Sequence, residues 1–298
     1  MRPSWTASMW AALVATLGRP SWWAMALAAF LVRGGFLLLL LPIVSLPTTA
    51  ALITALAPTL ETIYLGRPTA EGALVAVAVI GTLLAGLTAA GLAGSWLDLA
   101  LVREAAVDED VELGWAPSSA SVVQAFAVRL TAHLPTAIAL GYALVRFVTV
   151  AYDELTAPGS TDAPVAARVL ARAPDAVLAI VLAWLAGETI GALAARRASA
   201  GLSVPRALLA SLRQLLGARG LATLGLTIAV LVAVWLPFLL AAEGAWEYLR
   251  SRLLDGAGTL EVVAALLLLA TTWVLGLAVV GACLAWRATA WTAEVPPR

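Results

Sequence analysis

The chain has 298 residues, of which 62% are hydrophobic and 12% charged, and its mean hydropathy is +0.96. Soluble globular proteins are about 45–50% apolar and about 25% charged, so this composition excludes an ordinary soluble domain and indicates a membrane protein. Net charge is zero and every basic residue is arginine, which excludes general electrostatic attraction to nucleic acid and Schiff-base chemistry on a lysine.

Residues 1–20 have about the length of a signal peptide, but polar residues interrupt their apolar run, which ends at Gly18. No small-x-small cleavage site precedes a soluble domain. Trp5 and Trp10 are typical of the headgroup region of a bilayer. We therefore expect an interfacial helix in this segment.

Six later segments each supply the roughly 20 mainly apolar residues that a membrane-spanning helix needs. Continuous apolar runs of this kind favour helices over the short alternating segments of a β-barrel. With the N-terminus inside, eleven arginines flank the spans on the cytoplasmic side and six on the outer side, which predicts that both termini are cytoplasmic. The six predicted spans are residues 22–46, 72–97, 131–151, 174–195, 220–241 and 259–286.

Three segments share a pattern and precede the first, third and fifth spans: residues 4–18, 121–135 and 203–217. Each begins with serine and carries apolar residues at helical spacing, with leucines recurring at the same positions. Serine is a favourable first residue, because its oxygen accepts a backbone N–H left unpaired in the first helical turn. Each segment is therefore predicted to be an amphipathic interfacial helix.

The even-numbered spans also end alike, with LAGSWLDLALVR at 92–103 and LAGETIGALAAR at 185–196. The predicted fold class is thus all-α: a polytopic membrane protein with six transmembrane helices, arranged as three parallel helical-hairpin repeats, each preceded by an interfacial amphipathic helix. The repeat units of this single membrane domain, residues 1–298, are predicted at 4–103, 121–197 and 203–290.

The Ser-x-x-x-Ala-(Leu/Phe)-x-x-x-Leu segments that lead into the spans, as at 121–135 and 203–217, resemble a known membrane domain. That domain is found fused to some bacterial glycerophosphodiester phosphodiesterases and as stand-alone relatives. The likeness covers most of the chain and is one of pattern. The soluble phosphodiesterase domain, with its metal-binding carboxylates and histidines, is absent from the sequence, so no catalytic residue carries over. The resemblance implies a membrane-embedded helper role in the cytoplasmic membrane of a bacterium.

Arg33 is the charge that is hardest to accommodate. Eleven residues from Trp22, at 1.5 Å each, put it about 16 Å deep, near the middle of a hydrocarbon layer about 30 Å thick. A charge at that depth normally faces the bundle interior or water and has a partner. Two interpretations stay open: an anion-binding or gating charge, and a structural arginine capped by carbonyls or a carboxylate. We expect Gly34 and Gly35 to let another backbone approach closely.

Glu188, in the fourth span, is the predicted partner of Arg33, because a pair would neutralise both charges and join two spans. Gly187 and Gly191 surround it as a GxxxG motif, which favours close helix packing in lipid. A second candidate polar cluster, nearer the cytoplasmic face, comprises Asp98, Arg129 and His133. His133 is the only histidine, so a two-histidine metal site is excluded; it is either an interfacial polar residue or a proton relay.

The sequence contains no nucleotide-binding glycine loop, no Gly-x-Ser-x-Gly motif and no paired catalytic carboxylates. We therefore expect no enzymatic activity, no catalytic residue, no metal site and no cofactor. One predicted function is a scaffold, assembly partner or regulator, whose partners are the lipid bilayer and another membrane or cytoplasmic protein. The other is a small transporter or permease component, which would need a water-accessible cavity that reaches Arg33.

Overall fold

The computed structural model describes residues 4–40, 70–108, 119–156 and 165–294, which form helices and no strand. The all-α prediction is therefore confirmed for these ranges. A π-helical turn, Leu31–Gly35, joins α2 to α3. The helices are α1 Trp5–Leu17, α2 Pro20–Phe30, α3 Phe36–Leu40, α4 Ala70–Asp108, α5 Ser119–Ala132, α6 Leu134–Thr156, α7 Val165–Arg172, α8 Pro174–Ser199, α9 Val204–Leu215, α10 Ala218–Leu254 and α11 Thr259–Ala293.

Five of the described helices contain a stretch that is long and apolar enough to cross a membrane. These stretches overlap the second to sixth predicted spans and support a multi-pass membrane protein. Helix α10 continues through Pro237 to Leu254, so it extends well beyond residue 241, where the fifth predicted span ends. The stretches are Val77–Ala105, Leu134–Glu154, Pro174–Ser199, Ala218–Leu254 and Thr259–Ala293.

The first predicted span, 22–46, is described as far as Leu40, and its last residues lie outside the described ranges. Within the described part, the helix is interrupted at Gly34, whose φ is 97°. Glycine adopts this conformation at little cost because it has no Cβ. A Cβ on Gly35 would lie 2.2 Å from the ring of Phe30. Both glycines therefore have local roles, which corrects our expectation that they admit a neighbouring backbone.

Short helices occur at all three positions where interfacial helices were predicted, and each is followed within three residues by the next helix. Ser4 caps α1, because its Oγ accepts a hydrogen bond from the backbone N–H of Ala7 at 3.3 Å. Ser203 occupies the same position before α9 in an extended conformation, but its side chain makes no capping hydrogen bond, so the predicted serine cap is not formed there. Helix α5 begins at Ser119, so Ser121 lies inside the helix, and the prediction that Ser121 caps its N-terminus was wrong.

The chain divides into two compact units, and α11 is the central helix of unit 1. It packs against α1, α2 and α10. Trp22, Ala26 and Ala285 are buried together in this core. Close approach is possible because α11 carries Gly281, where a Cβ would lie 2.9 Å from the backbone oxygen of Trp23. Unit 1 comprises Met1–Val44, Ala90–Thr131 and Thr189–Arg298.

Polar side chains bond the helices of unit 1 near the C-terminal end of α11. The hydroxyl groups of Thr16 and Thr289 lie 2.9 Å apart. Arg219 donates to the buried carboxylate of Glu294 at 2.8 Å and also to the hydroxyl of Ser8 at 3.2 Å. These bonds connect α1, α10 and the residue that follows α11.

Unit 2 comprises Ser45–Ala89 and Ala132–Glu188. Its described core lies where α6, α7 and the start of α8 pack through small and β-branched residues. The buried carboxylate of Glu154 accepts hydrogen bonds from Arg168 at 2.7 Å and from Arg172 at 2.6 Å, which ties α6 to α7. The core residues are Ala143, Val150, Val169, Ala173 and Ala176.

Gly281→Ala should destabilise the protein, because the new Cβ would contact a backbone atom of α2 that cannot turn away. We expect a loss of about 1–3 kcal/mol in the free energy of unfolding, as for other overpacked sites. Thermal unfolding in detergent, followed by fluorescence, measures it. Gly225→Ala is the matched control, because no atom lies within 4 Å of a Cβ at that position of α10. Equal melting temperatures for the two variants would contradict the close packing of α2 on α11.

Candidate functional site

Arg33 forms a two-point ion pair with Asp98 of α4. Its Nη1 donates to Oδ2 at 2.8 Å and its Nη2 donates to Oδ1 at 3.2 Å. The remaining guanidinium nitrogen, Nε, donates to the backbone oxygen of Ala29 at 2.9 Å. All three nitrogens of the Arg33 guanidinium group therefore have protein oxygens as acceptors, as the capped-arginine interpretation requires.

Asp98 also pairs with a second arginine, Arg129 of α5, whose Nη2 lies 2.5 Å from Oδ2. The side chains of Arg33, Asp98 and Arg129 are 24%, 17% and 11% exposed, so other parts of the protein cover most of their surface. At such low exposure an ion pair is screened much less than at the surface, and loss of one partner is costly. A single carboxylate thus holds together the π-helical turn, α4 and α5.

Gly94 makes room for this arrangement. A Cβ at Gly94 would lie 2.7 Å from Cγ of Arg33, so the aliphatic part of the arginine rests directly on the α4 backbone. Asp98 follows four residues later, on the same face of the helix. The LAGSWLD segment therefore supplies both the space for the Arg33 stem and the charge for its head group.

A small cavity lies beside Asp98, where α4, α5 and α8 meet. Its volume is about 10 Å³, close to the minimum that holds one water molecule. Ser95 lines it, is 1% exposed, and has an Oγ with no hydrogen-bond partner among the described residues. Arg129 and Arg196 also line it. Polar side chains line the cavity beside apolar ones, and its size is close to that of one water molecule.

Arg196, which directly follows the fourth predicted span, is a further buried arginine. It is 5% exposed, and its guanidinium group bonds within α8 and across to α11. Nε donates to Oγ1 of Thr292 at 3.0 Å, Nη1 to the backbone oxygen of Ala192 at 2.8 Å, and Nη2 to that of Ala288 at 2.7 Å. The only sequence signal for this residue was its position, two turns after Glu188 on the same span.

The structure therefore joins Arg33 to two members of the second predicted cluster, Asp98 and Arg129. Glu188 and His133 belong to unit 2, and the Arg33–Glu188 pair stays a prediction. His133 lies in the bend between α5 and α6, where its ring approaches a Cβ position on Gly187 to 3.2 Å. That position is also 3.0 Å from the backbone oxygen of Ala132, so Gly187 is a point of close helix packing.

In the described ranges, no group of three or more His, Cys, Asp or Glu side chains is placed to hold a metal ion. The acidic segment at 103–115 is described only as far as Asp108, which ends α4, and its remaining residues lie outside the described ranges.

Comparisons with protein-family models, with curated proteins and with solved structures found no match to this chain. The site is therefore interpreted from its own residues and their geometry.

Asp98→Asn should leave two guanidinium groups without their shared anion. We expect a loss of about 3 kcal/mol in unfolding free energy, the size found when one partner of a poorly solvated ion pair is removed. Unfolding by denaturant in mixed micelles measures it. Glu247→Gln is the control, because its pair with Arg250 is more than half exposed and such pairs contribute less than about 1 kcal/mol. Losses of the same size in both variants would refute the shared role of Asp98.

Proposed function

We propose that the chain is a non-enzymatic integral membrane protein that acts as a scaffold, assembly partner or regulator of another membrane protein. The observation that carries this proposal is the apolar half of α4. Every residue from 77 to 89 is exposed, and only 6% of its most apolar window is buried within the chain. An apolar helix segment that the described part of the chain leaves uncovered offers its surface to lipid and to a partner helix.

One face of this segment suits a helix partner. Gly81, Ala85 and Ala89 follow one another at intervals of four residues, so they lie on the same side of α4. Without a hydrophobic driving force between helices in lipid, close approach at small residues supplies much of the association energy. Among the described residues, no atom lies within 4 Å of a Cβ at Gly81. The partner that fits is an apolar transmembrane helix, because 72–97 carries no charge.

The polar cluster supports a structural role over a transport path. Asp98 pairs with Arg33 and Arg129, and the cavity beside it has a volume of about 10 Å³. A transport site would present its charge to a water-filled cavity that a solute can enter. In the part of the chain that the structure describes, the charges instead hold helices together.

A small transporter or permease component is the second candidate, and the break at Gly34 favours it. Interrupted membrane helices often place a charged residue and free backbone groups at a substrate site. Here the break directly follows Arg33, which is 24% exposed. This function would require a path for solute to Arg33, formed when the Arg33–Asp98 pair opens.

The proposed topology has six spans in three parallel hairpin repeats, with both termini in the cytoplasm of a bacterium. Helical structure from Pro20 to Leu40, interrupted only around Gly34, supports a sixth span. The short helices α1, α5 and α9 support the repeat, and the arginine distribution supports the orientation. The resemblance to the membrane domain of glycerophosphodiester phosphodiesterases fits a helper role of this kind.

Substitution of small residues on α4 tests the scaffold proposal. We expect the full chain, purified from its native membrane in mild detergent, to carry a stoichiometric membrane protein that is lost in the Gly81→Leu/Ala85→Leu double variant. Bulky side chains at these positions would hold the partner helix away. Quantitative mass spectrometry of the purified complexes measures the loss.

Gly141→Leu is the matched control, because this exposed glycine of α6 has no atom within 4 Å of a Cβ and should leave the complex intact. A chain that purifies as a monomer with no stoichiometric protein would overturn the proposal. Equal loss of the partner in the control would also overturn it.

A further inference from the structure

A second, larger cavity lies on the surface of unit 1, as a groove between the α1–α2 junction, the end of α4 and the start of α5. Its volume is about 540 Å³, within the range of about 300–1,000 Å³ typical of small-molecule sites. It is separate from the ion-pair cluster, although Leu99 borders both cavities. Nothing in the proposed scaffold function uses this groove.

Two arginines from different helical segments line the groove, Arg19 before α2 and Arg103 near the end of α4. Arg19 lies over the ring of Trp22 at 4.8 Å, which holds its guanidinium group beside the groove. Arg103 is exposed, and among the described residues it has no hydrogen-bond or ion-pair partner. The only carboxylate in the described wall, Glu104, accepts a hydrogen bond from Trp22 at 2.7 Å. In the described part of the wall, two arginines therefore line the groove together with one carboxylate.

The rest of the wall is apolar and is ordered along α4. Trp96, Ala100 and Arg103 follow at intervals of four and three residues, which places them on one face of the helix. Trp96 is 56% exposed and lies closer to the apolar span, while Arg103 lies about 10 Å further along the helix axis. Leu99 and Val122 complete the apolar side. The groove is thus apolar at the end near Trp96 and cationic at the end near Arg103. A phospholipid has the same order, with its acyl chains at the apolar end and its phosphate at the polar end.

We infer that this groove binds an anionic phospholipid. The phosphate lies between Arg19 and Arg103, where guanidinium groups donate charge-assisted hydrogen bonds to its oxygens. The first part of an acyl chain lies along Trp96, Leu99 and Val122. Tryptophan and arginine at the end of a membrane-spanning helix suit this depth of the bilayer. A lipid bound here would contact α4, α5 and the α1–α2 junction together.

Native mass spectrometry of the full chain in detergent tests the inference, with phosphatidylglycerol and phosphatidylcholine of identical acyl chains as probes. We expect tighter binding of phosphatidylglycerol, and Arg103→Gln should weaken that binding about fivefold, the effect of one arginine near a membrane surface. Arg103→Lys keeps the charge and should retain most of the affinity. Trp96→Ala should weaken both lipids, because it removes the apolar wall.

Arg206→Gln is the matched control, because Arg206 is an exposed arginine of α9 that does not line the groove. Its binding of phosphatidylglycerol should equal that of the unmodified chain. Equal affinity for the two lipids, or an equal loss in Arg103→Gln and Arg206→Gln, would overturn the inference. Displacement of the lipid by inorganic phosphate would overturn it as well, because the site would then recognise free phosphate without the acyl chain.

Discussion

A guanidinium group that is largely removed from water must exchange its hydration for protein oxygens, and the structure around Arg33 follows from this constraint. Asp98 gives two oxygens to Arg33 and shares one of them with Arg129, while the backbone of Ala29 accepts the third N–H. Two positive charges from separate helical segments would repel each other strongly in a medium of low dielectric constant. The shared carboxylate attracts both arginines and so offsets their mutual repulsion. Three segments of the chain can therefore meet at one point.

The same constraint explains why α4 has two different halves. Residues 77–89 are apolar and exposed, which suits lipid and a partner helix, whereas the following turns carry the features that accommodate charge. Gly94 makes room for the stem of Arg33, Asp98 neutralises its head group, and Arg103 faces the groove at the end of the span. The guanidinium group of buried Arg196 also donates to protein oxygens, but these belong to one hydroxyl group and two backbone carbonyls instead of a carboxylate.

Much of the fold could be predicted because apolar runs of membrane length have few alternatives to a helix. Arg33 could be identified as a site residue because a lone charge stands out in such a run. Its ion-pair partner could not, because the sequence shows which residues share a helix face but not which helices are neighbours. The sequence therefore favours Glu188 as the partner and assigns Asp98 to a second cluster, whereas the structure pairs Arg33 with Asp98. The orientation prediction, which counts arginines on each side of the membrane, assumes that every arginine at the end of a span is solvated. Arg196 is only 5% exposed, so this assumption fails for it. The interruption at Gly34 depends on a positive φ that glycine permits but does not dictate.

A double-mutant cycle between Arg33 and Asp98 tests most directly whether Asp98 neutralises Arg33. The unfolding free energies of Arg33→Met, Asp98→Asn and the double variant give the coupling between the two side chains. If the carboxylate holds the arginine in place, Arg33→Met in the Asp98→Asn background should restore part of the lost stability, because one uncompensated charge has been removed. If instead the two losses simply add, Arg33 and Asp98 do not stabilise each other, and the account of this site is contradicted.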